Sequence, residues 1–256
     1  MRWDPAQYVR YADERARPFH ELLARVAADR PRLVVDLGCG PGTLTATLAQ
    51  RWPDADVVGV DSSPEMIGEA DLLATDRLSF SLGRVEEWRT AVQPEVLISN
   101  ATLQWVPGHR ELLRGWARAL PAEGWLAFQV PANFGAPSHV LMRELSESTR
   151  WRRRLDGVLR HADAVARPQQ YADLLLAAGL RTDVWQTSYL HVLPGDDPVL
   201  DWVRGTGLRP VLQALDLGEA REFETEYAAL LRQAYPRGTG GTLFSFTRTF
   251  AVAHRA

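Results

Sequence analysis

Two acids flank a run of glycines in this chain. The segment VVDLGCGPG carries Asp36, then Gly38, Gly40 and Gly42 at alternate positions, and Asp61 follows 19 residues after the last glycine. Glycine accepts positive φ and leaves no Cβ in the way of a ligand that must lie on the main chain. The spacing is G-x-G-x-G, so the third glycine comes one residue earlier than in the dinucleotide fingerprint G-x-G-x-x-G. Pro41 removes an N–H from the turn, which weakens a phosphate cradle built from amides. A carboxylate at Asp36 would oppose a pyrophosphate and suit a cationic amine. Asp61 stands where an acid accepts both hydroxyls of a ribose.

These residues need a scaffold that holds them together. RLVVDL (32–37) and ADVVGVD (55–61) are short β-branched runs that read as buried strands, each ending in or next to one of the acids. GTLTATLAQRW between them puts Leu44, Leu48 and Trp52 on one helical face. The alternation continues through SPEMIGEADLL, with Ser63 as N-cap and Pro64 as first helical residue, RLSFSL, PEVLISN (94–100), HRELLRGWARAL and GWLAFQV (124–130). Strands alternating with helices of this length imply right-handed crossovers and a doubly wound, mostly parallel Rossmann-like α/β sheet. The second half differs. It predicts arginine-rich helix from Pro137 to about Pro168, a strand in RTDVWQTSYLHVL, two helical stretches within 197–236, and an antiparallel last strand in TLFSFTRTFAVAHR. The expected organisation is one domain over 1–256, with helical cap insertions at 137–168 and 197–236.

Composition narrows the classes. The chain has 256 residues, 46% hydrophobic, with a net charge of −3, which disfavours a nucleic-acid partner. Cys39 is the lone cysteine, so no intrachain disulfide forms. The proline-broken, charged start is not a signal peptide, and no apolar run approaches a membrane span. The expectation is a cytoplasmic protein with no membrane association and no obligate protein partner. No lysine is present and all 29 basic residues are arginine, so a single arginine carries little functional signal.

A ligand with a ribose, no phosphate and a positive end is S-adenosylmethionine. VVDLGCGPG, VGVDSSPEMI and EVLISNATLQWVP resemble the class I S-adenosylmethionine-dependent methyltransferases. WDPAQYVRYADERARPF, PSHVLMRE, LDWVRGTGLRP and FSFTRTFAVA extend the resemblance, over nearly the whole chain, to methyltransferases that esterify a small polycarboxylate. The resemblance implies that Gly38, Cys39 and Gly40 line the cofactor through backbone atoms, that Asp61 holds the ribose, and that Ser62 and Met66 lie beside the adenine. It places Asn100 near the amino-acid end of the cofactor, with Leu103, Gln104 and Trp105 following toward the transferred methyl. The acid that usually accepts the adenine amino hydrogen is replaced by Arg84, which cannot accept. Either Glu86 or Glu87 stands in, or the backbone of Val85 and packing suffice.

The acceptor side is read from arginines and aromatics. Tyr8, Tyr11, Arg15 and Arg17 precede the first strand, and the resemblance makes this segment, 1–30, a lid over the cofactor. Among His139, Arg143, Tyr189, His191, Arg209 and Arg248, guanidinium groups could hold carboxylates in bidentate fashion. A solvated face accounts for most of the arginines, Arg152 to Arg154 included. The acceptor-side candidates retained are Tyr8, Arg17, His139, Tyr189 and Arg209. A carboxylate acceptor is already ionised, so no general base, nucleophile or metal is expected, and catalysis reduces to alignment. An acceptor hydroxyl or nitrogen would need a base, with His139 the candidate. A nicotinamide-dependent oxidoreductase and a non-catalytic binding module are the readings from other classes.

Overall fold

The computed structural model describes residues 12–159 and 164–256. The chain divides into two compact units. One comprises Met1–Pro131, Val165–Thr187 and Arg248–Ala256, the other Ala132–Ala164 and Ser188–Thr247. This division begins and ends its second unit at other residues than the insertions expected at 137–168 and 197–236.

The first unit is built on parallel strands β1 (Leu33–Leu37), β2 (Asp56–Asp61), β3 (Leu78–Leu82), β4 (Val96–Asn100) and β5 (Trp125–Pro131). Among the described residues the sheet order is β3-β2-β1-β4-β5-β8-β6, where β6 is Arg181–Leu193 and β8 is Gly241–His254. β8 runs antiparallel to β5, and the two-residue β7 (Arg237–Gly238) pairs with β8. The order reverses direction at β1, between β2 and β4, which is where open α/β sheets bind ligands. Register aligns Asp36 with Gly59 and Ile98, and Asn100 with Gln129.

Helices α1 (Ala12–Leu23), α2 (Thr43–Arg51), α3 (Pro64–Ala70), α4 (His109–Ala119) and α7 (Pro168–Leu176) belong to this unit. Leu113, Trp116, Tyr171 and Leu175 from α4 and α7 join Val35, Leu97, Leu126 and Phe128 in a continuous core. Ser63 caps α3 with Pro64 behind it, as its sequence predicts. Phe19, Leu22, Leu23 and Val26 are buried. The described part of the segment expected as a lid, 1–30, thus holds four apolar side chains removed from water. Tyr8 and Tyr11 lie outside the described residues.

The second unit holds α5 (Pro137–Glu147), α6 (Arg152–Leu155), α8 (Pro198–Arg204), α9 (Arg209–Ala214) and α10 (Leu217–Ala234). The continuous helix expected from 137 to 168 stops at Ser148, whose backbone turns extended. The first stretch expected within 197–236 breaks between Arg204 and Arg209, where Gly205 and Gly207 interrupt it. Trp202, Phe223, Tyr227 and Phe244 are buried there. The Tyr227 hydroxyl donates to Ser138 O at 2.6 Å, and Ser138 N donates to the Tyr235 hydroxyl at 3.0 Å, fastening α5 to α10. Arg154 pairs with Glu219 at 2.7 Å and Arg150 with Glu222 and Glu226, so part of the arginine run meets acids of α10. No helix among the described residues is long and apolar enough to cross a membrane.

Candidate functional site

The carboxyl ends of β1, β2 and β4 bring together the glycine loop, Asp36, Asp61 and Asn100. The loop spends its amides internally. Gly38 N and Cys39 N donate to Val60 O at 2.7 and 3.1 Å, and Gly42 N to Cys39 O at 3.3 Å. Gly40 N donates to Asp61 Oδ2 at 2.9 Å. Pro41 has no N–H, so none of the amides of residues 38–42 is left for a phosphate.

The three glycines have different reasons. A Cβ on Gly38 would lie 2.0 Å from Thr102 Oγ1, and one on Gly42 would lie 2.7 Å from Phe80 Cζ. Those two admit neighbouring side chains of the protein itself. Only Gly40, at φ +56°, has nothing within 4 Å of its Cβ position, so it is the glycine that leaves room for a ligand. Cys39 is buried, its Sγ beside Gly59, and burial next to Asp36 and Asp61 pushes its thiol up. A thiol held protonated is no nucleophile.

Asp36 is buried. Its Oδ2 accepts from the Thr45 hydroxyl at 2.7 Å, and its Oδ1 is buried without a partner. Burial is the main cause that pushes its pKa up to about 7, the Thr45 bond opposing and the Asp61 charge assisting. The Thr45 contact sets this carboxyl at the first turn of α2, the position a pyrophosphate takes in dinucleotide folds. Asp61 is half-buried, and its Oδ1 accepts from Ser63 N at 2.9 Å. With one amide on each oxygen, a carboxylate retains two further lone-pair sites. An orphaned acidic oxygen, an open glycine and a two-oxygen acceptor fit an adenosyl group that carries an ammonium.

Other expected residues are placed as follows. Ser62 is exposed, and its neighbour Ser63 does the capping. Met66 is 2% exposed, with its amide on Ser63 Oγ. Val85 points into the core. Arg84 pairs with Glu86 at 2.9 Å and with Glu87 at 3.5 Å, so the acids expected to replace the adenine acceptor already face an arginine. Arg17 pairs with Glu21 at 3.0 Å along α1, with an exposed side chain. After β4 the backbone is strained, since Ala101 has φ 54°. Gln104 donates Nε2 to Ala101 O and leaves Oε1 buried without a partner. Leu103 is buried and Trp105 half-buried.

In the second unit His139 Nε2 lies 3.4 Å from the Cβ position of Gly207, two residues before Arg209. His139 Nδ1 meets Ser138 Oγ at 3.2 Å. Burial first, and the Arg143 charge second, push its pKa down to about 4. Arg143 donates to Phe134 O at 2.7 Å. Tyr189 is buried and stacks on His191, which packs on Trp202, a separate aromatic cluster. Thr45, Phe80, Thr102, Gln129 and Arg248 complete the loop and the strand ends. Sequence reading assigned a role to none of these except Arg248, which it set aside.

The fold and this site define a Rossmann-like transferase of methyl groups. A family model described as a methyltransferase domain matches residues 8–184. A trans-aconitate 2-methyltransferase of Streptomyces avermitilis is 52% identical over 260 residues, covering 99% of this chain and 97% of that protein. One from Streptomyces coelicolor is 55% identical, covering 99% and 86%, and one from Rhodococcus jostii is 51% identical, covering 98% of each. Among solved structures, an S-adenosylmethionine-dependent methyltransferase of Geobacter sulfurreducens in complex with S-adenosyl-L-homocysteine gives a TM-score of 0.55 at 19% identity, covering 94% of this chain and 91% of that one. The chain belongs to the methyltransferase family and, within it, to the trans-aconitate 2-methyltransferases.

Proposed function

We propose that the protein transfers the methyl group of S-adenosylmethionine to a carboxylate of trans-aconitate, giving a methyl ester. The observation that carries the cofactor reading is the glycine loop. Its amides are all engaged, while an orphaned Asp36 oxygen and Asp61 stand beside it. That arrangement suits a cationic ribonucleoside. When bound, S-adenosylmethionine supplies the methyl: the carboxylate oxygen takes it, the C–S bond pair stays on sulfur, and no proton moves.

The residues then have positioning roles. Asp61 receives the ribose hydroxyls and Asp36 faces the ammonium. Gly38, Cys39 and Gly40 give the cofactor its backbone wall, and Ser62, Met66 and the backbone of Val85 border the adenine. Asn100, Gln104 and Trp105 follow toward the methyl. Arg209, His139 and Tyr189 serve the acceptor, with Tyr8 and Arg17 retained on that side by the family resemblance. His139 is neutral at physiological pH and is not required as a base. The helical insertions at 137–168 and 197–236 carry the acceptor side, and the enzyme works in the cytoplasm.

The test is a screen of small di- and tricarboxylates with methyl-labelled S-adenosylmethionine. Trans-aconitate should give a product whose label is released by mild alkali, at higher kcat/KM than citrate or cis-aconitate. Label that resists alkali would replace the carboxylate by a hydroxyl or nitrogen acceptor.

A further inference from the structure

A polar line crosses three strands at the same end of the sheet. Gln129 on β5 is fully buried, and Arg248 on β8 is nearly so. Arg248 Nη1 donates to Gln129 Oε1 at 3.2 Å, and Gln129 Nε2 donates to Asn100 Oδ1 at 2.7 Å. The direction of this chain follows from chemistry alone. A guanidinium has five N–H donors and no acceptor, so Gln129 must turn its oxygen toward Arg248. Its amide nitrogen then faces Asn100, which must answer with its own oxygen. The Asn100 Nδ2 group is therefore turned away from Gln129, on a half-buried residue at the carboxyl end of β4. None of the hydrogen bonds among the described residues involves that nitrogen.

From this we infer that Arg248 and Gln129 are positioning residues that lock the Asn100 side chain as a hydrogen-bond donor to a carboxylate of the bound molecules. The inference rests on the function proposed above. It accounts for an arginine and a glutamine placed inside a sheet whose neighbouring strand residues, Phe128, Val130 and Ala251, are apolar and buried. Burying such groups is costly unless they are fully paired. Two carboxylates meet the requirement: that of the amino-acid end of the cofactor and that of the acceptor. A fixed donor at this point discriminates against an ammonium, which has only donors and would need an acceptor there.

The test inverts the chain at its centre. In Gln129→Glu the side chain keeps its size and its acceptor for Arg248 but loses its N–H donor. Asn100 must then donate Nδ2 inward and show Oδ1 outward. The protein should keep its melting temperature, because Arg248 now meets a carboxylate. Affinity for one carboxylate ligand should fall about 10- to 150-fold, the loss of one hydrogen bond to a charged group. If S-adenosylhomocysteine binding by calorimetry weakens while the trans-aconitate KM holds, the donor serves the cofactor. If KM rises while the calorimetric constant holds, it serves the acceptor. Asn100→Asp, which removes the donor without touching β5, should reproduce whichever arm moved, and it decides the matter if Gln129→Glu does not fold. A folded Gln129→Glu with both constants unchanged overturns the inference. Should the parent methylate no carboxylate, the proposed function fails on that result, and the calorimetric arm alone decides the role of the chain.

Discussion

Asp36 is the residue whose environment is most at odds with its charge. Its pKa stands raised to about 7, mainly by burial, so the native state holds a proton that the unfolded chain releases above the ordinary 3.8. The sign follows: this group's contribution to stability is complete below pH 3.8 and is lost as pH rises to about 7. An ammonium beside it favours the ionised form. Binding of S-adenosylhomocysteine near pH 6 should then release up to about one proton, read as a buffer-dependent enthalpy in calorimetry, and Asp36→Asn should abolish that dependence. His139 has the opposite sign. With its pKa lowered to about 4, stability is lost as pH falls from 6.5 to about 4. Single-turnover rates should be flat from about pH 6 to 9, and His139→Gln should raise the acceptor KM without the 10²- to 10⁴-fold loss in turnover that removing a general base brings. At the adenine side, Glu86 is half-buried and paired with Arg84. Exposed pairs of this kind contribute little, so Arg84→Ala should leave the melting temperature unchanged. If Glu86 accepts from the adenine, Glu86→Ala should raise the cofactor dissociation constant; equal constants for mutant and parent would leave the adenine to backbone and packing.

The turn between β1 and α2 shows what an element asks of its glycines. Gly42→Ala would drive a methyl group to within 2.7 Å of the Phe80 ring at φ +77°, beside Ala70 Cβ at 2.9 Å. Overpacking of this kind costs about 1–3 kcal/mol, with strain added. Gly40→Ala meets only the backbone penalty, since the space above it is open. Thermal unfolding should therefore separate the two, Gly42→Ala falling well below Gly40→Ala. Cofactor affinity should separate them the other way, with Gly40→Ala the weaker binder per degree of melting temperature lost. Elements of the first half were legible in the sequence because buried parallel strands are continuous apolar runs, as in LVVDL and VLISN. The helix breaks at Ser148 and around Gly205 were less so, since local patterns of arginine and leucine continue through them. Which glycine faces ligand and which faces Thr102 or Phe80 depends on register between strands. The same holds for the Arg248–Gln129–Asn100 line, whose outer members lie 119 and 29 positions from its centre. Asp36 and Asp61 were readable because each ends a strand beside the glycine loop.

At the scale of the whole molecule, a cofactor that binds only the folded protein stabilises it in proportion to the logarithm of its concentration. The chain carries its own means of watching that. Cys39 is its single cysteine, and it sits buried inside the glycine loop. A thiol reagent reaches it only when that turn opens, so the rate of labelling measures the population of a locally opened state rather than of the unfolded chain. Saturating S-adenosylhomocysteine should slow labelling by the factor 1 + [L]/Kd, while labelling in denaturant stays unchanged. A rate indifferent to the ligand would mean that the turn opens with the ligand still in place. The only sulfhydryl in the protein is thus a clock wired to one hinge, and its ticking can be read without altering a residue.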